Sequence, residues 1–468
     1  MKNKKAKISL ACAAFIALVN FPYAPTTGTA ETEKPVYTDG TELFTKQLML
    51  GAYAEPEPSD IRFNRLKEIG FNTMYMLNET SYNTARLITY LEKCEEHDLK
   101  AIVGIGCNRK APVSIKTQKT SLAEYDSFMG IYMCDEPLGD GSPLPQDEIN
   151  ATEGTNWESY NTIYDYMAAE YEYMKETYPG RYCSAVICYG MREGWFGYKS
   201  LDAYVEKVLS VMEQKDRSLE YDCYPLRVTS EGEAYFGDSW LLGPYKFAET
   251  RKDYSVPKLT FFYQQEWDYK LRERIGIPEL LYQLYTSMCF GVNGLVAYKY
   301  DSYWTDWLKA NDFFMHSAWG ESELCYYNQV AFAELKKFDH IYLDFVNNWQ
   351  GVMSVYGTSG NDNKEYRNVE QYLEGKYVLE SYAGLQSITA TEDALIGVMK
   401  DSQGRDGYMV TNQAFSLDKL SNTVKMAFNG GYSKAIVVLN GEETVVELKD
   451  GACEFTLAPG KGAFVIPY

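Results

Sequence analysis

The sequence predicts an α/β fold: a closed (β/α)8 TIM barrel followed by a C-terminal β-sandwich. Three observations carry this reading. Between residues 44 and 345, eight short apolar runs alternate with segments of helical periodicity. Those runs are nearly continuous rather than alternating, as expected of parallel strands covered on both faces. After residue 345 the texture changes to short strands separated by turns such as NGG, NGEE and APGKG.

Taken in order, the strand candidates are LMLGAYA (48–54), FNTMYML (71–77), KAIVGIG (100–106), MGIYMCD (129–135), YCSAVICYG (182–190), LEYDCYP (219–225), LTFFYQQ (259–265) and GLVAYKY (294–300). Helix candidates lie between them. The run 61–70 ends on Gly70, a C-cap signal. The run 83–99 has apolar residues spaced three and four apart, and 157–180 stops at proline and glycine. Further helices are expected at 201–212, 243–254, 277–291 and 326–338. A doubly wound open sheet is the competing architecture. It fits less well, because LGAYAEPEP after the first strand lacks GxGxxG spacing.

Residues 346–468 read as the sandwich. Its expected strands are VMSVYG, ALIGVMKD, GYMVTNQA, NTVKMAFN, KAIVVLNG, TVVELKDG, CEFTLAPG and GAFVIPY. Its one tryptophan is Trp349, so packing against the barrel is a better-supported role than glycan binding.

The N-terminus has four lysines, an apolar segment from Ile8 to Leu18, and small residues up to Ala30. This is a secretory signal pattern, too short for a membrane span. Residues 1–30 are expected to be removed and 31–43 to form a linker. The chain is then secreted or extracellular, with cell-surface association open and no stable membrane insertion. The four lysines and absence of acids in that segment take the remainder from a net charge of −20 to −24. Such a balance excludes nucleic acid as a partner and disfavours anionic membranes, but suits a neutral sugar. Ten cysteines, without a CxxC, read mainly as small buried hydrophobes. His97, His316 and His340 are too scattered for a histidine metal site, so no metal and no cofactor is expected. Oligomeric state is left open.

In a barrel, chemistry sits where strands end at their C-terminal side. The polar residues there are Tyr53 and Glu55, Tyr75 and Asn78, Asn108 and Arg109, Asp135 and Glu136, Tyr189 and Arg192, Asp222 and Tyr224, Gln264 to Trp267, and Lys299 to Trp304. Carboxylates, amides and flat aromatic rings on one rim are what a sugar site needs. Carboxylates move protons, amides bind hydroxyls, and rings stack on pyranose faces. Glu136, in FMGIYMCDEP, is the expected proton donor: burial and a neighbouring carboxylate would raise its pKa. Counting by twos puts Cys134, Tyr132 and Gly130 on its face. The bland reading is a surface acid capping a loop. Glu266, after LTFFYQQ, is the natural partner across the mouth. A gap of about 5 Å would allow covalent attack, and about 6.5–9.5 Å an inverting water.

GIYMCDEP at strand 4 and TFFYQQEW at strand 7 resemble the clan of retaining (β/α)8 glycoside hydrolases that includes β-galactosidases and cellulase-like enzymes. The resemblance implies Glu136 as acid/base and Glu266 as nucleophile. It also implies an accessory role for the sandwich, with DGYMVTNQ and LAPGKGAFVIPY. One departure stands out. The clan usually has Asn-Glu-Pro at strand 4, and residue 135 here is Asp. An ionised aspartate accepts hydrogen bonds but donates none.

Asp222, inside LEYDCYPL, needs a reason to be there. It either binds a hydroxyl, orients a catalytic carboxylate, serves as an inverting base, or pairs with a buried cation. Trp267 and Trp304 are the expected stacking platforms, with Tyr300 and Tyr53 behind them. The substrate expected is an oligo- or polysaccharide. The alternatives are a non-catalytic glycan-binding protein on a degenerate barrel, motivated by Asp135, and a different barrel enzyme such as a metal-dependent hydrolase or lyase.

Overall fold

The computed structural model describes residues 43–468 apart from 77–83, 105–120, 138–161, 189–200, 223, 229, 232–233, 238–239, 268–272, 301–315, 318–319, 362–365, 368–369, 372 and 415–419. The expected leader lies outside the described residues. All eight expected barrel strands form. They are β1 (Met49–Tyr53), β2 (Thr73–Met76), β3 (Lys100–Gly104), β4 (Phe128–Asp135), β5 (Tyr182–Cys188), β6 (Ser218–Asp222), β7 (Lys258–Gln264) and β8 (Gly294–Tyr298). Each pairs in parallel with the next, and β8 closes on β1.

Helices follow the strands on the outside: α1 (Asp60–Ile69), α2 (Thr84–Glu96), α3 (Ile163–Thr177), α4 (Leu201–Leu209), α5 (Leu242–Asp253), α6 (Ile277–Cys289) and α7 (Glu323–Leu335). An eighth, α8 (Asp339–Val346), continues past the expected end of the last one. Local signals set the ends. Gly70 stops α1 in the left-handed conformation at φ 112°. Thr162 and Asp165 form a capping box on α3. None of the described helices is long and apolar enough to cross a membrane.

The barrel has two apolar layers. Outward side chains such as Leu50, Met74, Val103, Ile131 and Leu219 pack under the helices. Inward side chains, among them Met49, Tyr75, Ile102, Tyr132, Tyr182, Phe262 and Val296, fill the lumen. Phe44, on a single helical turn (Leu43–Lys46), closes the lower end against Tyr182 with ring centroids 5.2 Å apart. Gly51 makes the upper packing possible. A β-carbon there would lie 2.9 Å from Val296 and 3.2 Å from the Tyr75 ring.

Among the described residues the sandwich contains nine strands, one more than the sequence suggests: β9 (Trp349–Val355), β10 (Leu385–Ala390), β11 (Ala394–Lys400), β12 (Asp406–Asn412), β13 (Asn422–Phe428), β14 (Lys434–Leu439), β15 (Glu442–Glu447), β16 (Ala452–Leu457) and β17 (Gly462–Pro467). One sheet runs β9-β11-β12-β17-β14-β15 and the other β10-β13-β16. The unexpected strand, β10, reads LQSITA. It lies at a sheet edge with Gln386 and Ser387 exposed, so it lacks an apolar signature.

The two parts share α6, which is buried from Glu279 through Cys289. Its Tyr282 hydroxyl donates to Gln413 Oε1 at 2.6 Å, and Trp349 Nε1 donates to the Cys289 carbonyl at 2.9 Å. Trp349 is therefore a packing anchor, as its isolation in the sandwich sequence suggests. Cys94, Cys134, Cys183, Cys289, Cys325 and Cys453 are free thiols in buried positions.

Candidate active site

The mouth is built from the C-terminal ends of β4 and β6 and the rings between them. Strand β4 is irregular. Its register slips once against β3 and once against β5, between Tyr132 and Cys134. Gly130 lets β4 lie close to β5, since a β-carbon there would fall 1.9 Å from the Tyr182 carbonyl oxygen. The second slip puts Met133 and Cys134 both in the outer layer, while Tyr132 remains in the lumen. Simple alternation therefore fails here. Tyr132 belongs with Asp135, to whose Oδ1 its hydroxyl donates at 2.5 Å, and not with Glu136.

Glu136 then takes φ 49°, uncommon for a residue other than glycine. Its N–H donates to the Val186 carbonyl at 3.0 Å, so the turn is held to β5. Asp222 ends β6, two strands away from β4. Its carboxyl is hydrogen-bonded to that of Glu136. It also accepts from the Tyr224 hydroxyl at 3.1 Å. Burial first, then the charges of Asp135 and Glu136, push the Asp222 carboxyl well above the usual range. Three carboxyls from two strands thus meet at one place.

Aromatic rings wall this cluster. Tyr53 packs against Phe262 and Tyr298 at 5.5 Å each and against Tyr132 at 6.4 Å. Tyr224 meets Tyr298 at 5.2 Å. Tyr298 keeps 42% of its surface exposed, which makes it the open ring at the mouth among the described residues. The sequence points instead to Tyr300. That residue lies in the outer layer: its N–H donates to the Tyr53 carbonyl at 2.8 Å, and its fully buried ring meets Phe71 at 5.8 Å. Strand pairing ends at Tyr298, so period-two counting does not carry on to residue 300.

Gln264 also differs from the expectation of a substrate ligand. Its Oε1 accepts from the Leu226 N–H at 2.9 Å, and its Nε2 donates to the Leu226 carbonyl at 2.8 Å. Both ends of the amide hold the segment after β6, and the side chain is buried. Gln265 turns outward, where its Oε1 accepts from Asn328 at 3.1 Å. The backbone of Glu266–Trp267 forms a two-residue ribbon with Glu273–Arg274 just past β7.

Beneath the mouth lies a residue that the rim inventory overlooks. Glu220 is fully buried in the lumen, and its Oε1 accepts from Tyr75 at 2.7 Å and from Tyr182 at 2.6 Å. Burial raises its pKa to about 7, with Asp135 adding to the rise and the tyrosine hydrogen bonds opposing it. The Ser184 hydroxyl lies against Glu220 and the Thr260 hydroxyl against Tyr182. Tyr75 accordingly belongs to this floor rather than to the rim. Counting back two from Asp222 puts Glu220 on the same face of β6, and that was the available signal. Asn78, Asn108, Tyr189 and Trp304 lie outside the described residues.

One other cluster could be mistaken for a metal centre. Asp60, Glu96 and His97 have ligand atoms within 4.8 Å of one another on the outside of the barrel. Lys93 occupies that cluster, pairing with Asp60 at 2.7 Å and with Glu96. It is a surface ion network away from the mouth.

No known protein family matches the sequence, and no curated protein does. Solved structures of similar chain path exist. A β-galactosidase from Rahnella sp. R3 is 10% identical with a TM-score of 0.46, over 71% of this chain and 61% of that one. A β-galactosidase from the psychrophilic Marinomonas ef1 is 9% identical with a TM-score of 0.44, over 64% and 62%. An endo-β-1,4-mannanase from Thermotoga petrophila is 10% identical with a TM-score of 0.39, over 88% and 91%. These likenesses are loose, and the chemistry has to come from the mouth itself.

Proposed function

We propose that the protein is an exported glycoside hydrolase that cleaves an oligo- or polysaccharide by double displacement, with Glu136 as acid/base and Glu266 as nucleophile. The observation that carries this reading is the carboxyl pair Glu136–Asp222 in the mouth of the barrel. Two carboxyls in hydrogen-bond contact cannot both ionise cheaply, so the pair retains a proton. A retained proton is what departure of a sugar alkoxide requires. Glu136 would protonate the glycosidic oxygen as a carboxylate attacks the anomeric carbon. It would then deprotonate the water that releases the sugar.

The same contact argues against Glu136 and Asp222 as an inverting pair. An inverting water needs a gap of about 6.5–9.5 Å between carboxyls, and these two touch. Asp222 is better read as the residue that positions and protonates Glu136. The nucleophile must then come from elsewhere on the rim, and Glu266, just past β7, is the candidate. Tyr298 offers an open ring for a pyranose face. The lysine-led apolar N-terminus supports export.

Glu136→Gln and Glu266→Gln should each cut turnover of aryl glycosides by 10³-fold or more while leaving the circular dichroism spectrum unchanged. Near-wild-type turnover in either variant removes that residue from the mechanism. Anomeric proton NMR of the first product distinguishes retention from inversion. Asp135 supports the alternative of a non-catalytic glycan-binding protein. Binding across a broad glycan panel without product would decide for it.

A further inference from the structure

A cluster of positive side chains lies at the opposite end of the barrel from the carboxylates. A cavity of about 510 Å³ opens where β7 and β8 begin, between the barrel base and the start of the sandwich. Its lining includes Lys215, Arg251, Lys252 and Lys258, against a single acid, Asp216. That acid accepts from the Tyr171 hydroxyl at 2.8 Å, which directs its charge to α3. Such a sign balance runs against a chain of net charge −20.

Three of the cations are held in place, whereas Lys215 is 72% exposed and pairs with Glu213 at 3.6 Å. Arg251 is 5% exposed and donates to the Gly291 carbonyl and, at 2.7 Å, to Asn347 Oδ1. Neither partner is a carboxylate, and burial pulls its pKa down to about 10. Lys252 donates to the Trp349 carbonyl at 2.7 Å, and burial depresses it too. Lys258, 6% exposed, sits over the Phe44 and Tyr182 rings at 5.6 and 5.1 Å. Arg251, buried among neutral partners, is the cation that a negative group would complete. Asn293, Asn347 and Asn348 add amides to the same wall.

We propose that this basal cavity binds a phosphate group, free or esterified to a sugar, through Lys215, Arg251, Lys252 and Lys258. The guanidinium and ammonium groups supply the charge-assisted hydrogen bonds that a tetrahedral oxyanion takes. The cavity has room for more than the anion, and the asparagine amides suit hydroxyls. Asn347, Asn348 and Trp349 lead into β9, so an occupant would tie the sandwich to the barrel base.

The test is thermal unfolding and calorimetry of the full chain with inorganic phosphate, glucose 6-phosphate or glucose, at matched ionic strength. A saturable rise in Tm of at least ~1 °C is expected with phosphate, with the ester, or with both. Binding of phosphate alone identifies a free-anion site; stronger binding of the ester identifies the sugar phosphate. Lys215→Met tests the assignment without touching the fold, because that side chain is 72% exposed. It should weaken binding by about 3-fold or more with an unchanged Tm in the absence of ligand. Lys252→Met should weaken it further. No saturable response to either phosphate, or equal binding by both variants and the wild type, overturns the proposal.

Discussion

Glu220 receives two phenols through one oxygen, and burial holds its carboxyl neutral up to about pH 7. Its ordinary value is 4.5, so the folded chain binds an extra proton between pH 4.5 and 7. The stability tied to this group is complete below about pH 4.5 and is lost as pH rises through about 7. The difference is on the order of 3 kcal/mol. Glu220→Gln should therefore flatten this part of the pH dependence. Urea titrations at pH 5 and pH 8 check it: the variant should gain on the wild type by that order between the two. At the rim, Asp135→Asn removes one of the charges that raise Asp222. The carboxyl pair should then lose its proton more readily. The alkaline limb of the kcat/KM profile should move to lower pH, and an unmoved limb would take Asp135 out of the proton inventory.

At the scale of elements, β4 shows where a sequence is readable and where it is not. Its existence follows from an uninterrupted apolar run, as it does for the other seven barrel strands. Its facing does not, because two register slips are set by contacts with β3 and β5 rather than by local spacing. Thus the assignment of Glu136 to the mouth stands on the rim rule, while its supposed neighbour Tyr132 belongs to Asp135. Tyr300 and Gln264 are engaged elsewhere for the same kind of reason: partners distant in sequence, Phe71 and Leu226, claim them. Gln264→Leu leaves the Leu226 N–H and carbonyl unpaired. A loss of about 2 kcal/mol or more is expected from denaturant midpoints. Turnover should fall as well, since the segment being held carries Tyr224 beside Asp222. Turnover equal to wild type would mean that the clamp serves stability alone.

For the whole molecule, the barrel and the sandwich meet through α6 and Trp349. Trp349→Ala removes a buried ring and its hydrogen bond to Cys289, and should cost about 3–5 kcal/mol. The loss should appear as one shifted transition by tryptophan fluorescence and by far-ultraviolet circular dichroism alike. Separate transitions would show that the two parts unfold independently. The change of texture at residue 345 made the division visible in the sequence, yet α6 gave no hint of which neighbours would cover it. Leu280, Leu281, Leu284, Tyr285 and Met288 spread around its circumference, with the barrel on one side and β12 on the other. An expression clone ending at residue 345 would bare an oily flank of the barrel. Such a fragment should collect in inclusion bodies, and swapping in a different β-sandwich would require α6 to be redesigned with it.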